Sequence, residues 1–429
     1  MSETSKAAQL QEDSLKREEP KWLLEKREAA FEQIDKLDFP RMQRFHYKNW
    51  PLMENESIKP FDSDPALIEK DENANLIQFG QTTVSVSLDE EMKQDGVILS
   101  DIFSAIKNHP ELVQKYLMTE VIDANEDKLT ANHMAYFNSG LFLYIPKNVQ
   151  VKNPIEVDLI QDSTQDANWN PHILIVAEQG SSVKFLQHLS TVGDHKNTAS
   201  MMVEIVANPE SKVEFSSLEE ISKQTTLYFN RRAKIKKDAH VEWAIGFMND
   251  CDTIGDIDSE LIGEGSYANS QAIAVTSGKQ KMGINNRVTN RGPHSTGLIN
   301  QRGVLLEDSN LIFNGIGQIV HGAHGSKADQ QNRVLMMSDN AHGDANPLLL
   351  IDENDVIAAH AASVGPVDQI QMDYLMSRGI PYDQAERLVI RGFLGAVLDS
   401  IPDKSVRAKM IKILERKLID GQRKAVSNS

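Results

Sequence analysis

The sequence predicts a mainly β protein built as a solenoid, flanked by an α-rich, mixed N-terminal region and a C-terminal helical domain. Three observations predict this. The first is a repeat between Val183 and Phe313, in which a small or charged turn is followed by two apolar residues one apart. Aligning "EQGSSVKF", "NPESKVEF", "KKDAHVEW", "GEGSYANS", "RGPHSTGL" and "LEDSNLIF" puts Val183, Val213, Val241, Ala268, Thr296 and Leu311 in one column. Phe185, Phe215, Trp243, Ser270, Leu298 and Phe313 fall in a second column two residues on. Residues i and i+2 share one face of a strand, so stacked coils align these side chains into one interior. Successive members of the first column lie 30, 28, 27, 28 and 15 residues apart, one coil per repeat or a fraction of one where the spacing shortens. The second observation is that residues 141–364 carry short β-like runs and almost no helical period. The third is that the helical period returns after Val364.

Residues 1–140 form the first region. In "EPKWLLEKREAAFEQIDKL", Trp22, Leu23, Ala29, Ala30, Ile34 and Leu37 recur at helical spacing until Asp38, Phe39 and Pro40 end the run. Helices are also expected over residues 100–107 and 111–116, divided by Pro110, whereas residues 82–88 alternate like a strand. In residues 141–364 the runs "LFLYI", "HILIVAE", "MMVEIV", "AIAV" and "PLLLI" are punctuated by Asn, Gly, Asp and Ser, which supply turn conformations. A β-sandwich also has short strands, but it has no need for the same two inward positions to return every coil.

In residues 365–429 a helix over 368–378 stops at Gly379 and Pro381. A second, over 382–399, places Ala385, Leu388, Val389 and Phe393 on one stripe, and a third, over 404–418, is amphipathic and basic. This domain has little bulk of its own. It is expected to cap the solenoid end, to pack on a partner, or to do both.

The chain has 429 residues, enough for two or three domains or for one long solenoid with end pieces. A net charge of −17 argues against nucleic acid or an anionic membrane as the main partner. The N-terminus lacks an apolar signal core, and no run of about 18 apolar residues occurs, so a cytoplasmic location is expected. The single cysteine, Cys251, excludes an internal disulfide framework or a metal centre built from several thiolates of this chain.

Other motifs carry little chemistry. His321 and His324 are three apart across Gly322 and Ala323, which suggests a turn rather than a metal site. "GIGQIVHGAHG" lacks the Lys-Ser/Thr of a phosphate loop. Cys251 reads as a packing residue, and the carboxylates Asp250, Asp252, Asp256, Asp258 and Glu260 read as a solvated loop. A carbohydrate-active parallel β-helix enzyme needs clustered acids on one outer face and is usually exported, neither of which is evident here. A hexapeptide-repeat acyltransferase needs a much shorter period.

The segment from Asn300 to Ile380, "NQRGVLLEDSNLIFNGIGQIVHGAHG…MSRGI", resembles the SufB/SufD proteins of the Suf iron-sulfur cluster assembly system. "REAAFEQIDKLDFPRMQRFHYKNW" and "NHMAYFNSGLFLYIPKNVQVKNPIEV" resemble the SufD branch, so the likeness covers most of the chain. It implies a right-handed parallel β-helix that pairs with a SufB-like subunit, and a C-terminal helical domain that docks the SufC-type ATPase. It also implies a noncatalytic role in a SufBCD complex, with a transient iron-sulfur cluster and ATP held by SufC rather than a cofactor held tightly by this chain. A homodimer stays open.

Many SufD proteins carry Cys-x-His near the end of the β-helix, but here the residues are Ala358, Ala359 and His360. The thiolate is gone. His360 is left as a candidate iron ligand at the SufB interface, and Arg378, Leu388, Arg391 and Phe393 as candidate ATPase contacts.

Overall fold

A computed structural model describes residues 3–54, 56–399 and 404–427. From Ser139 onward the chain alternates between two parallel sheets, contributing one strand to each in every coil. One sheet runs through Ile155–Ser163, Ser182–Gly193, Lys212–Glu220, His240–Phe247, Tyr267–Thr276, Thr296–Leu305, Lys327–Met336 and Ile357–Pro366. The opposite sheet runs through Ser139–Ile145, Pro171–Ala177, Asn197–Ala207, Thr225–Ile235, Asp252–Leu261, Lys281–Asn290, Asn310–Ile319 and His342–Ile351. The result is a solenoid of about eight coils.

The expected columns are real up to Ala268. Val183 faces Val213, Val241 and Ala268 in register, and Phe185 faces Phe215, Trp243 and Ser270. Ring centroids of Phe185 and Phe215 are 5.3 Å apart, and those of Phe215 and Trp243 are 5.0 Å apart, a continuous aromatic stack in the lumen. The Trp243 indole N–H, buried with its ring, donates to Ser259 Oγ at 3.0 Å.

Two expectations fail beyond Ala268. Gly297 and Ile299, not Thr296 and Leu298, face Ala268 and Ser270, a slip of one residue that exchanges the faces. Gly297 is the inward residue because a Cβ there would meet Val288 Cγ1 at 2.5 Å. Leu311 and Phe313 belong to the opposite sheet, where they face Met282 and Ile284, so the short spacing is half a coil.

One corner of the solenoid is a ladder of left-handed residues. Gly180, Glu210, Asp238, Gly265, His294 and Gly325 all have positive φ. The N–H of Glu210 donates to Lys237 O at 2.9 Å, that of Asp238 to Glu264 O at 2.9 Å, and that of His294 to His324 O at 2.8 Å. Each turn is thereby tied to the next, which offsets the strain of roughly 1–2 kcal/mol for a non-glycine in this conformation. The turn expected around His321 and His324 is present, and both side chains are exposed.

The N-terminal region closes the first coil. Leu76–Phe79 pairs in parallel with Ile155–Ser163 and antiparallel with Thr82–Val86, and Ile98–Asp101 pairs antiparallel with Ser139–Ile145. Of the helices expected in this region, Ile102–Asn108 and Pro110–Tyr116 are present, and Lys21–Phe31 stops short of the expected end after Leu37, residues 32–36 continuing as turns. Three that the sequence pattern did not reveal are Glu3–Lys16, Glu90–Gln94 and Lys128–Tyr136. The last carries a readable signal, a reciprocal cap between Asp127 and Thr130.

Buried polar groups tie these helices down. The Arg27 guanidinium pairs with Glu19 and donates to the carbonyls of Ala135 and Phe137 at 2.9 and 3.0 Å. His133 reaches Ser200 Oγ at 3.1 Å and His172 Nδ1 at 3.2 Å, and His172 Nε2 reaches Glu204 at 3.0 Å.

The C-terminal helices Gln369–Ser377, Tyr382–Leu398 and Lys404–Ser427 do not cap the other end. The second and third lie along the outer face of the first sheet, where Ile390, Leu394, Val397, Met410 and Leu414 pack on Leu186, Leu218, Ile273, Val275 and Val304, and the first packs on the second. Of the acidic run, only Asp250, exposed in a bend, lies in the solvated loop expected. Asp252–Leu261 is a strand, with Asp256 accepting from Asn285 Nδ2 at 2.7 Å and Asp258 buried and pushed up to about 6 by that burial. Cys251 is the buried packing residue expected, its thiol pushed up to about 12 by burial.

Candidate functional site

The last coil is built like the others, but among the described residues no strand stacks beyond it. His342–Ile351 and Ile357–Pro366 are each hydrogen-bonded on one side only and end their sheets. Leu350, Ile357 and Val364 are 47%, 67% and 40% exposed, whereas the apolar residues of the earlier coils are almost all buried. A solenoid coil buries its inward face only against a neighbouring coil, so this end presents two open strand edges around an unfilled lumen.

His360 sits on that end. Ile299, Gln330 and His360 are successive partners in register, so the imidazole occupies the next rung of the inward row that begins with Phe185, Phe215 and Trp243. It is exposed because no further coil covers it. Ala358 follows Gly297 and Ala328 on the adjacent inward rung, the same face as His360. A thiolate at position 358 would share the mouth of the lumen with the imidazole; this chain has a methyl group there.

Behind His360 the interior is polar. Gln301 Nε2 donates to Asn332 Oδ1 at 2.8 Å, and Gln330 Nε2 donates to Leu348 O at 2.7 Å. Among the described residues no group of three or more His, Cys, Asp or Glu side chains is arranged to hold a metal ion. His360 is thus a single donor, which needs ligands from elsewhere to hold iron. The acidic turn before it is anchored, because Glu353 accepts from the Gly322 and Asn354 N–H groups at 2.9 and 2.8 Å, which hold its carboxyl below the usual range.

A second feature adjoins the open end. Helices Gln369–Ser377 and Tyr382–Leu398 diverge from Pro366 and Leu335 to leave a groove of about 890 Å³, whose walls include Ile370, Tyr374, Leu388 and Phe393. Ile370, Tyr374 and Leu388 are 79%, 57% and 48% exposed, an apolar surface that is costly to leave in water.

Of the four residues singled out in the sequence for this domain, Leu388 and Phe393 come together in the groove wall. Phe393 leans on the solenoid, with the Arg302 guanidinium 5.2 Å from its ring centroid and donating to its carbonyl at 3.0 Å. Arg391 turns away to Glu415 at 3.6 Å, and Arg378 lies over the Tyr374 ring. Ile370 and Tyr374 were missed, although an apolar pair at i and i+4 on a short helix is a readable signal.

Comparison with known proteins matches these features to one family. Residues 159–393 match the family model described as "SUF system FeS cluster assembly, SufBD core domain", and residues 75–157 match "SufBD protein N-terminal region". The chain is 40% identical, over 94% of its length and 96% of the relative's, to the Iron-sulfur cluster assembly protein SufD of Bacillus subtilis. It is 22% identical, over 91% of its length and 88% of the relative's, to an Iron-sulfur cluster assembly SufBD family protein of Staphylococcus epidermidis. With both models placed along the solenoid and its closed end, and a SufD this similar over nearly its whole length, the chain belongs to the SufBD family of iron-sulfur cluster assembly proteins.

Proposed function

We propose that this chain is a noncatalytic, cytoplasmic subunit of a SufBCD-type scaffold on which iron-sulfur clusters are assembled. Its parts are an N-terminal region (residues 1–140), a β-helix core (141–364) and an ATPase-docking domain (365–429). The observation that carries this reading is the asymmetry of the solenoid, closed by its own chain at one end and open at both strand edges at the other. A SufB-like subunit supplies the missing coil, pairing along the edges of His342–Ile351 and Ile357–Pro366 and covering Leu350, Ile357 and Val364. His360 then faces the partner from the lumen mouth as an iron ligand completed by the partner's thiolate or carboxylate. The cluster is cargo built at that junction rather than a resident cofactor.

The apolar groove between Gln369–Ser377 and Tyr382–Leu398 receives the SufC-type ATPase, with Leu388 and Phe393 in its wall and Arg378 beside Tyr374, while Arg391 contacts the ATPase from outside the groove, where it pairs with Glu415. ATP binds to SufC, and dimerisation of two SufC subunits, one on each scaffold chain, strains the SufB-SufD junction and opens it.

The test is co-purification from cells expressing all three subunits. Deleting residues 382–429 is expected to abolish SufC binding and to leave SufB pairing intact, whereas Ile357→Asp is expected to do the opposite. Full SufC binding by the truncated chain overturns the ATPase assignment. A homodimer that persists at the expense of SufB pairing assigns the open edges to a second copy instead.

A further inference from the structure

The C-terminal helix Lys404–Ser427 is bound unlike the rest of the fold. Among its described side chains, Met410, Leu414 and Leu418 are nearly lost to solvent, and Gly246 on the sheet below leaves room for Met410, whose Cε is 3.4 Å from where a Cβ would stand. Ile411 and Ile413 pack half-buried beside this apolar seam, and charge flanks it. Lys409 pairs with Glu156 and reaches Asp71 at 4.0 Å, Arg416 pairs with Glu220, and Lys417 reaches Asp250 at 3.2 Å. Lys417 Nζ also donates to the carbonyls of Met248 and Asn249 at 3.0 and 2.6 Å.

The acceptors come from Ile155–Ser163, Lys212–Glu220 and the turn after His240–Phe247, with Asp71 added by the N-terminal region, so the face carries carboxylates beside an apolar strip that includes Leu186 and Leu218. His188 lies between Asp158 at 3.7 Å and Glu220 at 3.1 Å beneath the helix. Helix and face do not close on each other. A cavity of about 280 Å³ remains under Lys409, Lys412, Ile413 and Arg416, with Val157, Leu186 and Leu218 as its apolar floor.

We infer that this outer face is a docking site for a basic amphipathic helix, and that Lys404–Ser427 is its exchangeable occupant in cis rather than an integral layer of the fold. An apolar stripe flanked by carboxylates selects such a helix by helix-in-groove packing together with charge complementarity. The cis helix holds the site through its high effective concentration, although the cavity leaves its seam incompletely filled. Arg391 of the groove helix pairs with Glu415 of the docked helix, so leaving the site also loosens one side of Tyr382–Leu398.

Hydrogen exchange on the full chain, and binding of a labelled synthetic peptide spanning residues 404–427, test this. Lys409→Glu combined with Arg416→Glu is expected to speed exchange in residues 407–418 about tenfold while the strands Lys212–Glu220 and His240–Phe247 stay protected. The same variant is expected to bind the wild-type peptide about tenfold more tightly than the wild-type chain does, and a peptide carrying the two reversals should bind neither chain. Adding Glu220→Arg to Arg416→Glu is expected to restore protection lost in the single variant. The inference is overturned if the double reversal leaves exchange unchanged, if the strands lose protection together with the helix, or if the loosened chain takes up no peptide. It is overturned too if the charge swap fails to restore protection.

Discussion

The two ends of the solenoid are made of the same unit and treated in opposite ways. At the first coil the chain spends the short strands Leu76–Phe79, Thr82–Val86 and Ile98–Asp101 and a set of helices on closing both sheets, and it buries Phe79, Phe137, Phe142 and Trp169 in doing so. At the last coil the edges end in solvent, and the helices Tyr382–Leu398 and Lys404–Ser427 lie along one outer face instead of across the end. A stacked coil is stable only when both of its neighbours bury it, so the exposed terminal coil is unfinished unless another chain finishes it. The difference teaches where to look for function in a repeat protein, namely at the rung that lacks its neighbour.

The largest expected effect breaks the middle of the stack. Phe215 is fully buried between Phe185 and Trp243, so Phe215→Asp places an unpaired carboxylate between two aromatic side chains at a cost of about 5 kcal/mol or more, comparable to the whole stability of a typical domain. Circular dichroism and melting should show no folded solenoid. Ile357→Asp on the open rung should change the stability of the isolated chain by less than about 0.5 kcal/mol. Equal destabilisation by the two would erase the distinction between a closed interior and an open edge.

A smaller effect is expected from the charge pair in the lumen. Arg231 and Glu219 are both inaccessible to solvent and pair with each other, and Glu219 also accepts from Asn249 Nδ2 at 3.1 Å. Glu219→Leu leaves the guanidinium buried without its counter-charge and should cost about 3–5 kcal/mol in denaturant unfolding. Adding Arg231→Met should recover most of that loss, because two apolar side chains of similar volume avoid the desolvation penalty. Failure of the second substitution to recover stability would mean that the pair fixes the register of the coils rather than merely satisfying itself.

The closed end should also show itself through pH. His133 is wholly buried, and burial first, then the neighbouring His172, hold its imidazole well below its ordinary value of 6.5. The unfolded chain therefore takes up a proton that the folded chain refuses. The stability His133 permits is present above about pH 6.5 and is lost as pH falls below it, by up to about 1.4 kcal/mol per pH unit. His133→Gln should lower stability at neutral pH yet flatten that acid limb. An unchanged slope would take the sensitivity away from this residue.

The sequence showed most of the solenoid and little of its ends, for physical reasons. Val183, Val213 and Val241, with Phe185, Phe215 and Trp243, announce the inward face because only large apolar side chains fill that part of the lumen. The pattern slips at Thr296, where the inward residue Gly297 has no side chain to read, and a slip of one residue exchanges the faces. The carboxylates of residues 252–260 look like a loop because acidic residues seldom fill strands, yet here Asp256 is bonded to Asn285 across the sheet. His360 was legible as a boundary residue. Its inward direction was not, since that follows from the register of Lys327–Met336 with Ile357–Pro366. The groove was half legible, through Leu388 and Phe393, while its other wall offered a single i, i+4 pair, Ile370 and Tyr374, on a helix of 9 residues.

The smallest effect on the chain itself is expected at His360, and it carries the sharpest functional information. His133 and His360 lie near opposite ends of the same solenoid, one enclosed by the closing helices and one on the last open rung. Removing an exposed side chain from an edge strand should change the stability of the isolated chain by less than about 0.5 kcal/mol, so His360→Ala should melt like the parent. A ligand role predicts that the variant still assembles with SufB-like and SufC-type subunits at normal yield and hydrolyses ATP normally, while iron-sulfur cluster formed per assembled complex falls, because a neutral imidazole is one of few donors at the junction. A purely structural role predicts the reverse order, with weaker assembly first and cluster yield per assembled complex unchanged. Restoring a donor separates the two further. Ala358→Cys in the His360→Ala background adds a thiolate on the same inward face and should recover cluster yield if the junction wants a ligand there, and should recover nothing if His360 only fits the interface. If His360→Ala changes neither assembly nor cluster yield, the open end is a docking edge alone, and the chemistry belongs wholly to the subunit that completes it.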